Sequence, residues 1–146
     1  MGMLGYVVGF LRMPARYAIN KECRLILTIG EGRVTFAEVR AHQDRLLSDP
    51  DFDASFSQLI DLTAAISLDI SAGQARSIAC RRIVSPDSRR AFVATAPAIF
   101  GMGRLMQAYN EMSEGRSEVH IFYDRDEALR WLGLEPGSAI VAAIGR

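Results

Sequence analysis

An α/β fold is what the sequence predicts: a five-stranded, mostly parallel sheet whose first strand is antiparallel, with four helices, arranged as a β-α superhelix. Three observations carry this reading. Short β-rich or nearly pure apolar runs alternate with stretches whose apolar residues recur at helical spacing. The resulting order, β-β-α-β-α-β-α-β-α, argues for parallel strands joined by right-handed crossovers. The chain has 146 residues, enough for one substantial core and too few for a second domain of ordinary size.

The elements follow in order. "ARYAINKECRLILTIG" has the pattern of a hairpin. Tyr17 and Ile19 alternate, Asn20 to Glu22 supply a polar turn, and a β-rich run follows. Gly30 and Gly32 break that pattern. In "TFAEVRAHQDRLLSDP", Phe36, Val39, Gln43, Leu46 and Leu47 fall at helical spacing. Thr35 and Glu38 form a capping-box pair at its start, and Asp49-Pro50 stops it. "FSQLIDL" is the next strand, with an almost purely apolar end that suits a covered position in a sheet.

A tight turn is expected after Leu62, leading to a helix over "SAGQARSIACRRIV". Ala72, Ala75, Ala79 and Ile83 line one face of that helix, beside Ile78, and Ser85-Pro86 ends it. "RRAFVATAP" is a further strand, closed by Pro97. "GMGRLMQAYNEMSEG" is a helix with Met102, Leu105, Tyr109 and Met112 on its apolar side. "SEVHIFY" is the last strand, and "DRDEALRWLGL" the last helix. Asp124 and Glu127 suit a capping box there, and Gly133 suits the end. The helices are expected largely on one face. The other face, or an edge strand, then needs cover.

The first thirteen residues and the tail 135–146 are apolar additions to a domain spanning 14–134. They are candidates for that cover, within one chain or across a homodimer. Translation beginning at Met13 is an alternative account of the first run. The run "MGMLGYVVGFL" is about half as long as a spanning helix needs, so no transmembrane segment is expected. The formal net charge is zero, and aromatics do not interleave the basic residues, so nucleic acid is not an expected partner. Cys23 and Cys80 are far apart, which argues against a disulfide framework or cysteine metal site and suits a reducing cytoplasm.

At this point the residues resemble a known family. The element order, the "LIDLTAAISLDISAG" segment and the ending "VHIFYDRDEALRWLGL" resemble the STAS superfamily. The resemblance is closer to the SpoIIAA-like group of small bacterial proteins, related also to CRAL-TRIO lipid-binding domains. It covers roughly Pro14 to Leu134. It implies a STAS-like fold and a protein-docking habit near a phosphorylated serine at a strand-to-helix junction. Laid on this sequence, Asp61, Leu62 and Thr63 match the strand end and Asp69 the aspartate that follows. Ile70 stands at the phospho-acceptor position, Ser71 at the second serine and Ala72 at the glycine. Isoleucine cannot be phosphorylated, so the usual switch is not expected here.

Two candidate sites result. The first is a protein-docking surface at the turn and helix start: Thr63, Asp69, Ile70, Ser71 and Gly73. Ser71 with Gln74 also has the pattern of a plain helix cap. The second is a slot for a small apolar or lipid-like ligand between the "GMGRLMQAY" helix and the sheet, with Phe100, Gly101, Met102, Arg104 and Tyr109. The two glycines at a helix start also invite a phosphate reading, but the P-loop lysine is missing. Arg76, Arg81, Arg82, Arg89, Arg90 and Arg104 fit a solvated face, or a surface for an anionic partner. Arg89-Arg90 opens its strand away from the expected ligand crevice. His42 falls on the polar helix face, His120 lies in a strand, and Cys80 has the default of a buried thiol. No pattern suggests a catalytic site, a metal or a cofactor. The expected function is therefore a non-enzymatic regulatory module that binds a protein partner, with ligand carriage as the alternative.

Overall fold

Every expected strand and helix forms, and two of the strands run well past their expected ends. The computed structural model describes residues 15–81, 83–113 and 117–137. The expected extension 1–13 and the tail beyond 137 lie outside the described residues. The strands are β1 (Ala15–Asn20), β2 (Leu25–Thr35), β3 (Ser57–Asp69), β4 (Arg89–Val93) and β5 (Glu118–Phe122). The helices are α1 (Phe36–Leu47), α2 (Ala72–Cys80), α3 (Pro97–Glu111) and α4 (Arg125–Trp131). The strands form one sheet in sequence order, β1-β2-β3-β4-β5. β1 is antiparallel to β2, and every other pairing is parallel.

This order fixes where the helices lie. Each parallel step moves one place in the same direction, and right-handed crossovers then put α1, α2 and α3 on one face. Ile60, Phe92, Val119 and Ile121 pack against them. α4 is not a crossover and turns to the opposite face, where Ala128 and Leu129 bury against Leu27, Leu59, Ala91 and Val93.

The caps match the sequence at two helices. Thr35 Oγ1 accepts from the Glu38 amide at 3.3 Å, and Glu38 returns the bond to the Thr35 amide at 3.0 Å. Ser71 and Gln74 do the same at 3.1 and 2.9 Å. At α4, Asp124 caps the Asp126 amide at 3.2 Å, without the expected reciprocal bond from Glu127. Gly133, at φ 82°, closes α4 with the Leu134 amide on the Leu129 carbonyl and its own amide on Arg130.

Several boundaries differ from expectation. Gly30 and Gly32 do not end β2. They sit beside two register shifts, each leaving one extra residue on β3, and glycine inside a strand commonly marks such a bulge. Gly32 has φ 62°. The tight turn expected after Leu62 is absent, because β3 continues to Asp69 alongside β2. α2 ends at Cys80, short of Ile83, and Cys80 is exposed rather than buried. α3 begins at Pro97, in the first-turn position that suits proline. Gly101 and Gly103 therefore lie inside the helix, not at its start, and the phosphate-loop reading falls.

Candidate functional site

A cavity of about 80 Å³ lies between the sheet and the helices α1 and α2, with Met106 of α3 closing one side. Most of its wall is apolar. Ile60 and Leu62 come from β3, Ile70 from the link to α2, and Ile78 from α2 itself. The rest is polar: Thr28, His42, Gln43, Gln58 and Arg90. Strand register explains the polar part. Gln58 and Arg90 are direct neighbours across β3 and β4, and Thr28 is one step along β2 on the same face. Side chains alternate along a strand. Arg90 thus joins Phe92 under the helices, and Arg89 faces the other way.

That corrects the expectation for the arginine pair. Arg90 is 7% exposed and lines the cavity. Its guanidinium lies 5.7 Å from the Phe92 ring centroid. Its Nε has no hydrogen-bond partner, and it makes no ion pair among the described residues. Burial lowers its pKa to about 10, which leaves it charged at neutral pH.

His42 is also buried, against the expectation of a polar face. Its Nε2 lies 3.2 Å from Thr28 Oγ1, and Gln58 Nε2 donates to the same oxygen at 2.8 Å. Tyr17 meets its ring edge-on, with centroids 5.5 Å apart. Burial, with a smaller contribution from the Arg45 charge, lowers its pKa to about 4. The imidazole is neutral at pH 7. His42 Nδ1 and Gln58 Oε1 have no partner among the described residues.

The residues expected at the docking surface are split. Thr63 and Asp69 both lie in β3. Five residues of strand lie between them, and the six steps span about 20 Å at the usual rise. Thr63 donates through its hydroxyl and its amide to Asp61, at 2.6 and 2.9 Å. Asp69 pairs with Arg33 on the neighbouring strand. Ser71 caps α2, and Gly73 is exposed in its first turn. Ile70 is buried and faces the cavity.

The second expected set remains together on α3, yet none of its members lines the cavity. Phe100 is buried and stacks on Tyr123, with centroids 3.8 Å apart and planes 2° from parallel. Arg104 lies 5.5 Å from the centroid of the same ring. Met102 and Tyr109 pack against the main apolar cluster. A Cβ at Gly103 would meet Ile121 Cδ1 at 2.6 Å, whereas Gly101 has open space around it. Met106 is what α3 contributes to the cavity. Among the described residues no cluster of three His, Cys, Asp or Glu side chains could hold a metal ion, and no helix is long and apolar enough to cross a membrane.

No family profile and no curated protein matches the sequence. A solved structure does match: an uncharacterised protein of the DUF3478 family with a SpoIIAA-like fold, from Shewanella loihica PV-4. The two are 16% identical, with a TM-score of 0.50, over 81% of this chain and 91% of that one. The fold of this protein is therefore SpoIIAA-like, as the sequence resemblance implied.

Proposed function

We propose that this SpoIIAA-like domain is a non-enzymatic binding protein that holds a small, largely apolar molecule in the cavity beneath α1 and α2. One observation carries the reading. The cavity, about 80 Å³ in volume, is walled mostly by side chains of the main apolar cluster. Empty space of that kind costs packing energy in a core that could otherwise close. Small-molecule sites combine such a wall with a few fixed polar groups. Among the described residues no carboxylate is hydrogen-bonded to the neutral His42, and the Thr28 hydroxyl beside it is shared with Gln58, so the reading assigns it no catalytic step. The two free cysteines suit a cytoplasmic setting.

Native mass spectrometry of freshly purified protein tests this. A non-covalent mass increment that disappears on denaturation is expected. A bare chain mass in repeated preparations counts against carriage.

Docking of a protein partner is a second reading, favoured by a different observation. Ile66 is pushed out by the second β3 irregularity and is 83% exposed, close in sequence to the exposed Asp69 and Ser71. The partner could be a second copy of the chain, joined through its terminal segments. Light scattering at tens of micromolar decides that version, since a monomer mass excludes it.

A further inference from the structure

The polar wall of the cavity narrows the ligand to one chemical class, a step that rests on the cavity being a binding site. Of the partly buried arginines elsewhere in the fold, Arg40 lies over the Phe36 ring and two have acidic partners. Arg125 meets Asp61 at 3.1 Å, and Arg81 meets Asp44 at 2.6 Å. Arg90 is buried more deeply than either and has none among the described residues. Buried charges are ordinarily paired or bound to a ligand. The guanidinium fork matches a carboxylate better than any other side chain does.

The neighbouring atoms support the same choice. Gln58 donates to Thr28 Oγ1, so the Thr28 hydroxyl is free to donate onward to His42 Nε2. In the neutral ring that direction of the bond goes with a proton on Nδ1, and the reverse direction, with Thr28 accepting from both neighbours, goes with a bare Nδ1. In the first arrangement the wall presents the Arg90 Nε and an imidazole N–H as donors beside the Gln58 carbonyl oxygen, and none of these three atoms has a partner among the described residues. The volume, about 80 Å³, is roughly half that of an apolar cavity able to take benzene. The body of the ligand is correspondingly short.

We propose that the cavity binds a short-chain monocarboxylate, its carboxylate held by Arg90 and its hydrocarbon held against Ile60, Ile70, Ile78 and Met106. A phosphate or dicarboxylate would bring a second negative charge into an apolar space with one cation. A neutral or cationic molecule of the same shape would leave Arg90 unpaired.

Calorimetric titration of the full chain at pH 7 with butyrate, butyramide and butylammonium tests the assignment. Butyrate should bind at least tenfold more tightly than butyramide, and butylammonium should not bind. Arg90→Met should abolish the preference for butyrate. Gln58→Glu, which sets a carboxylate beside Arg90, should raise the thermal midpoint and lose butyrate. Equal affinity for butyrate and butyramide overturns the carboxylate assignment and leaves the cavity reading standing. Binding of none of the three overturns both. The comparison on the unmodified protein holds whether or not either variant folds.

Discussion

His42 is the residue whose burial makes the clearest demand on solution behaviour. Its folded pKa is about 4, against about 6.5 for an unperturbed histidine. The unfolded chain therefore takes up a proton that the folded chain refuses. The sign follows directly. Above pH 6.5 the group makes no difference, and as pH falls from about 6.5 to 4 the unfolded state gains roughly 3 kcal/mol from this one site. Urea unfolding at pH 7 and pH 4.5 should show this loss in the unmodified protein and much less of it in His42→Gln. Equal losses in both would remove His42 from the account. At this scale the sequence was only partly legible. Arg90 shares strand parity with Phe92, and Gln58 interrupts an otherwise apolar strand end. Both signals were present. Against them stands the ordinary solvation of two adjacent arginines, although strand pleating sends the two side chains to opposite faces. His42 and Gln43 both face inward, because α1 buries a wider stripe than its apolar residues alone define.

At the scale of elements, capping was legible and strand length was not. Thr35-Glu38 and Ser71-Gln74 are local signals, since donor and acceptor lie three residues apart. The far half of β3 has no such signal. From Leu62 to Leu68 the buried positions are Leu62 and Ala65, a spacing of three. The two irregularities break the period of two by which a half-buried strand is recognised. The same contrast between local and tertiary cause separates the glycines of α3. Gly101 has nothing within 4 Å of a would-be Cβ, and Gly103 has Ile121 Cδ1 at 2.6 Å. Gly101→Ala should stabilise the protein by about 0.5–1 kcal/mol, the ordinary gain for a helix interior. Gly103→Ala should lose that gain and more, since overpacking a core costs about 1–3 kcal/mol. Chemical denaturation of the two variants would check the order. A Gly103→Ala protein as stable as Gly101→Ala would mean that Ile121 turns away freely.

At the scale of the whole molecule, the described residues form one sheet with a core on each face, and the same strands serve both. Leu59 and Ile60 are neighbours in sequence, yet Leu59 belongs to the α4 core and Ile60 to the core under α1–α3. Phe92 and Val93 divide in the same way. Neither core can dissolve without pulling residues of β3 and β4 out of the other. The α4 face is tied down further: Arg125 meets the buried Asp61 at 3.1 Å, and Arg89 donates to the Trp131 carbonyl at 2.8 Å. Sequence order made the α1–α3 face foreseeable, since every crossover has the same hand. The side taken by α4 was not foreseeable, because no strand follows it to impose a crossover. Shared strands predict a single cooperative unfolding transition. Trp131 is the only tryptophan, and it packs with the α4 core, so its fluorescence reports that face. Far-UV circular dichroism is weighted towards α1, α2 and α3 on the other. In a urea titration the two signals should share one midpoint, and a bound monocarboxylate under α1 and α2 should move both by the same amount. Tryptophan fluorescence changing at lower urea than the dichroism would show α4 leaving on its own. The strands would then have to hold the remaining core without it.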